Sequence, residues 1–107
     1  MQKFVKVATL REIHENSGKR IVVNGIEIAI FKRANSLYAL NNVCAHQHFS
    51  LLHEGALVEL TVTCPMHGWT YDMCTGISTT GQGKVATYAV KTEGDDVLVE
   101  VPIEEGL

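Results

Sequence analysis

Two short stretches constrain this chain more than anything else in it: Cys44-Ala45-His46 and Cys64-Pro65-Met66-His67-Gly68-Trp69, with seventeen residues between His46 and Cys64. Each offers one thiolate and one imidazole close together, and two cysteines with two histidines complete a set of four metal ligands. The order Cys, His, Cys, His is informative. Zinc fingers usually present both cysteines before both histidines. An alternating order suits a centre to which each of two like loops contributes one sulfur and one nitrogen. A structural zinc ribbon remains the alternative at this point.

The spacing C-x-H, a long spacer, then C-P-x-H-G-W-x-Y-D, with Gly68, Tyr71 and Asp72 trailing the second loop, resembles the Rieske iron–sulfur motif. The resemblance implies one [2Fe–2S] cluster, with Cys44 and Cys64 as thiolates on an inner iron and His46 and His67 each binding an outer iron through one ring nitrogen. It leaves no coordination position for a substrate, so the implied function is one-electron transfer without bond chemistry, and the protein is expected not to be an enzyme. Two thiolates leave an oxidised cluster neutral, whereas four would make it more negative and harder to reduce. Rieske centres accordingly lie at about −150 to +300 mV, against about −400 mV for all-cysteine plant-type clusters.

Two departures from the respiratory branch of that family refine the expectation. Phe49 and Met66 stand where that branch has a cysteine pair that forms a disulfide, and Trp69 stands where it has a serine hydroxyl. Both changes point to the low end of the range, with the Tyr71 hydroxyl retained as a candidate donor to a ligand sulfur. The combination is similar to the soluble ferredoxins of bacterial aromatic-ring dioxygenase systems. That implies a flavoprotein ferredoxin reductase as electron donor, a terminal oxygenase as acceptor, and a monomer. A nitrite reductase small subunit and a zinc-stabilised interaction module are the alternatives.

The rest of the chain agrees with a small electron carrier. Its 107 residues suit one domain, 1–107, with its own core. A net charge of −3 argues against nucleic acid or an anionic membrane as partner. The residues Met1 to Lys6 contain no apolar signal core, no stretch approaches a membrane span, and a cytoplasmic location is expected. Three cysteines, two of them assigned to the cluster, leave Cys74 without a disulfide partner, in keeping with a reducing compartment, and it reads as a small buried thiol. His14, His48 and His53 read as surface residues.

In chain order the sequence predicts an all-β fold. Lys3–Thr9 is a first strand, and Leu10–Ser17 a polar connection with room for one helical turn. Arg20–Val23 and Ile26–Lys32 form a hairpin over Asn24-Gly25, with Ile26, Ile28 and Ile30 on one face. Leu37–Leu40 completes a four-stranded meander that delivers the first metal loop. Leu57–Thr63 alternates as a single strand and delivers the second. Thr79–Gly83 is a flexible loop, and Val85–Lys91 with Val97–Val101 form a last hairpin with a sheet of its own. The family resemblance implies a Rieske-type antiparallel β-sandwich with a smaller inserted cluster-binding subdomain at 43–79, the base domain being Met1–Asn42 plus roughly Thr80–Leu107. Phe49, Leu51, Leu52, Met66 and Trp69 are candidates for shielding the centre, Leu51 and Leu52 equally for ordinary core, and Glu54 is a candidate for steering a partner.

Overall fold

The computed structural model describes residues 2–43, 52–65, 68–80 and 83–102. The local signals hold where turn chemistry dictates them. Asn24 and Gly25 adopt φ of 52° and 79°, the left-handed pair a tight hairpin needs, so β2 (Ser17–Val23) and β3 (Ile26–Arg33) pair with Val23 opposite Ile26. A second left-handed pair at Ala34 and Asn35 turns the chain into β4 (Ser36–Asn41). Between β1 (Gln2–Thr9) and β2, Leu10–Glu12 forms a single 3₁₀ turn. The Thr9 amide and hydroxyl both donate to the Glu12 carboxylate, at 2.8 and 2.9 Å, and hold its pKa below the ordinary glutamate value.

Three antiparallel sheets result. The order β2-β3-β4-β8 makes one, in which β8 is Thr87–Tyr88. The order β1-β10-β9 makes the second, with β9 at Val90–Glu93 and β10 at Asp96–Pro102. The third, β5-β6-β7, consists of Ala56–Val58, Thr61–Thr63 and Thr70–Asp72. Among the described residues the helical pieces are the turns Leu10–Glu12 and Leu52–Glu54. The all-β expectation therefore holds.

Four details of the sequence reading change. The meander starts at β2, because β1 pairs with β10, Val5 opposite Val99, with a register shift between Lys6 and Ala8. The β9–β10 hairpin thus does not form a sheet of its own. A lone hairpin would leave one edge of β10 open and is marginal in water, and β1 covers that edge. The stretch 85–91 is not one strand either: Thr87–Tyr88 pairs with β4, and after Ala89 the chain crosses to pair with β10. Finally, Leu57–Thr63 is a hairpin, turning at Glu59-Leu60 with Glu59 at φ 52°. A two-residue turn preserves the alternation of a strand, so periodicity does not reveal it. Exposure does: Val58 and Leu60 are 61% and 42% exposed while Val62 is fully buried.

Burial explains why the middle of β3, Ile28 to Phe31, is an unbroken apolar run. Ile28 and Ile30 join Ile21, Ala39, Val97, Val99 and Val101 in the core between the first two sheets. Ala29 and Phe31, on the opposite face, join Leu40, Leu52, Val62, Cys64, Tyr71 and Met73 in a second core under the third sheet. The tip of the β5–β6 hairpin is tied to the sandwich by Arg33, whose Nε donates to the Glu59 carbonyl at 2.8 Å and whose Nη1 donates to Asn16 Oδ1 at 2.6 Å. These bonds are exposed, so Arg33→Ala should lower stability by only about 1–2 kcal/mol, read by urea titration.

Candidate metal centre

The chain on either side of the first candidate ligand segment is fixed at Asn41 and Asn42. Asn41, at the end of β4, donates its backbone N–H to the Ala86 carbonyl at 2.8 Å and accepts the Val43 N–H on its side-chain oxygen at 2.9 Å. Asn42 is fully buried, with its N–H on the Glu27 carbonyl at 2.9 Å. The chain comes back to the same residue. Leu52 N–H donates to the Asn42 carbonyl at 3.2 Å, and His53 N–H donates to Asn42 Oδ1 at 2.6 Å. Cys44, His46, His48, Phe49 and Leu51 lie outside the described residues.

The second segment is closed in the same manner by other means. β6 and β7 pair through Thr63 and Thr70, whose hydroxyls are 2.9 Å apart, and Cys64 N–H donates to the Trp69 carbonyl at 2.7 Å. Cys64 is wholly buried. Met66 and His67 lie outside the described residues.

Both closures rest on one core. Leu52, which ends the first segment, and Cys64, which begins the second, belong to the same apolar cluster, with Tyr71 and Met73 fully or almost fully buried beside them and Trp69 packed against it half-buried. Of the shielding candidates, Leu52 is therefore core, and Trp69 packs against the same apolar cluster. A thiolate buried among apolar groups is costly unless a cation compensates it. The setting of Cys64 accordingly fits a metal-bound thiolate in a cluster site. Among the described residues no three side chains of His, Cys, Asp or Glu converge into a separate metal site.

Two side-chain expectations are corrected. Cys74 is exposed, not buried. Met73 turns inward at 2% exposure, and the Asp72 carboxylate accepts the N–H groups of Cys74 and Thr75 at 2.7 and 3.1 Å, a turn that carries the thiol outward. His53 is no free surface residue: its side chain is 20% exposed and its Nδ1 lies 3.2 Å from Asn42 Oδ1, while Nε2 is 3.6 Å from the mostly exposed Glu54 carboxylate. His14 is exposed as expected. The residue that the sequence reading passed over is Asn42. Its one visible signal is position, an amide side chain two residues before the candidate ligand Cys44.

Comparison with known proteins bears on the same centre. Residues 3–92 match the family described as the Rieske [2Fe-2S] domain. The ferredoxin component of the naphthalene 1,2-dioxygenase/salicylate 5-hydroxylase systems of Ralstonia sp is 31% identical over 102 residues, covering 94% of this chain and 97% of that protein. Among solved structures, the ferredoxin of carbazole 1,9a-dioxygenase from Nocardioides aromaticivorans IC177 superimposes with a TM-score of 0.84 at 30% identity, over 91% of this chain and 96% of its own. A putative NADH-dependent nitrite reductase small subunit from Mycobacterium tuberculosis shares the fold more closely, with a TM-score of 0.89 over 97% of this chain and 99% of its own, but at only 15% identity. Because the family match spans most of the chain and the relatives align along nearly their whole length, this protein belongs to the Rieske [2Fe–2S] domain family.

Proposed function

We propose that this protein is a soluble one-electron carrier of the cytoplasm, a monomer that accepts electrons from a flavoprotein ferredoxin reductase and delivers them to a terminal oxygenase. The observation that carries this reading is the identity with dioxygenase-system ferredoxins, 31% and 30%, along almost the entire chain. The nitrite reductase likeness, at 15% identity, speaks for the fold alone.

In this reading residues 43–79 form the cluster-binding part of the domain, and Cys44, His46, Cys64 and His67 are the ligands. A bound [2Fe–2S] cluster supplies the chemistry, storage of one electron at a time. The chain's own residues do the rest. Cys64 supplies a thiolate inside an apolar core, where Leu52, Tyr71 and Met73 exclude water from its side. The Cys64 to Trp69 hydrogen bond ties the two ends of the second segment together, and Trp69 packs against the same apolar cluster. His46 and His67, in place of further thiolates, keep the centre less negative and easier to reduce.

Purified protein should be reddish-brown and contain two irons and two acid-labile sulfides per chain. A colourless protein with stoichiometric zinc would establish the interaction module instead, since Zn²⁺ has a filled d shell and gives no such absorption. A protein that holds its irons yet is reduced by no flavoprotein reductase and reoxidised by no terminal oxygenase would overturn the carrier role.

A further inference from the structure

Asn42 is the point where the segment bearing Cys44 and His46 departs, and the point to which it returns. Its backbone N–H fastens it to the Glu27 carbonyl of β3 at 2.9 Å, its carbonyl receives Leu52 N–H at 3.2 Å, and its side-chain oxygen receives His53 N–H at 2.6 Å. A backbone N–H can only donate, so the amide oxygen of Asn42, not its nitrogen, faces His53. The same oxygen lies 3.2 Å from His53 Nδ1. Asn42 is wholly buried, so water cannot replace it as the partner of the His53 amide. An apolar residue would fill the space and leave that amide unpaired.

Bringing the ends of a segment together carries an entropy cost that must be met by bonds at its base. Here the base is held by one residue using its backbone N–H, its carbonyl and its side chain. We propose that Asn42 is a positioning residue for the centre: its buried side-chain oxygen, by holding His53, fixes the two ends between which the segment bearing Cys44 and His46 runs. This rests on the reading of Cys44, His46, Cys64 and His67 as the ligands. Packing alone does not ask for an amide at a site next to Leu52 and the apolar cluster.

The experiment uses the holoprotein with two substitutions. Asn42→Leu removes the acceptor at similar size, and Asn42→Asp keeps an oxygen toward the His53 amide. Release of iron to a chelator should be at least about tenfold faster in N42L and within about threefold of wild type in N42D, the range expected for losing or keeping one buried hydrogen bond. The g-values of the reduced protein in electron paramagnetic resonance should move in N42L. Val99→Ala, in the core between the other two sheets, should lower thermal stability while leaving the g-values unchanged. An N42L protein with wild-type release and wild-type g-values overturns the proposal, as does an N42D protein that releases iron as fast as N42L. Should N42L fail to fold, Asn42→Ser, whose hydroxyl falls short of His53, takes its place under the same criteria. If the wild-type chain itself holds no iron, the ligand reading falls and this inference with it. If it holds two irons and the variants do not differ, this inference alone falls.

Discussion

Cys64→Ser protein should purify colourless, with its iron content reduced at least tenfold. A buried hydroxyl does not ionise at neutral pH, whereas a thiol beside a metal does so readily, and sulfur is the better ligand for iron–sulfur centres. The position gives no way to compensate, since Cys64 has no solvent exposure and its backbone is pinned to Trp69. Cys74→Ser is the matched control. That thiol is exposed on the turn after β7, and its loss should leave two irons and two sulfides in place. The measurement is iron and sulfide per chain together with the visible spectrum. Full iron in the Cys64→Ser protein would remove this residue from the ligand set.

Gly76→Ala should lower stability by about 3 kcal/mol or more, from strain at a left-handed backbone together with overpacking. Gly76 sits at φ 77°, and a methyl group there would run into the Val85 carbonyl oxygen and come within 3.1 Å of Thr87 Cγ2. The backbone cannot easily yield, because Gly76 N–H is bonded to the Asp72 carbonyl at 2.7 Å and Val85 N–H to the Gly76 carbonyl at 2.8 Å. The expected fall in melting temperature is roughly 12 °C or more. Gly25→Ala separates the two causes. Gly25 has a similar φ of 79° but nothing within 4 Å, so only the backbone term, about 1–2 kcal/mol, should be seen there. Equal losses at the two positions would show that the approach of Val85 to Gly76 is looser than the structure has it.

What the sequence discloses and what it conceals divide along the range of the interactions. The Asn24-Gly25 hairpin is legible because both residues of the turn carry their own conformational preference. The four candidate ligands are legible because a metal site demands particular residue types at fixed spacing. The pairing of β1 with β10 is not, since nothing near Phe4 or Val5 in the chain points to Glu100 or Val99. Nor is the turn at Glu59, where a glutamate takes a backbone conformation usually left to glycine or asparagine. His53 and Cys74 were misjudged for the same reason: a polar or small side chain has no periodicity to reveal its burial, and a single partner, Asn42 in one case and Asp72 in the other, decides it.

The two-faced burial of β3 has a consequence for cooperativity. Because Ile28 and Ile30 belong to one core and Ala29 and Phe31 to the other, neither core keeps its wall if this strand detaches. The sandwich and the β5-β6-β7 sheet are thereby joined into one folding unit, although the fold reads as a base with an insert. Local opening that spares either half would have to leave β3 in place, and fluctuations of that kind are confined to the periphery. If Cys64 is a ligand as proposed, an electron held on the cluster would rest on a support that gives way only with the whole domain.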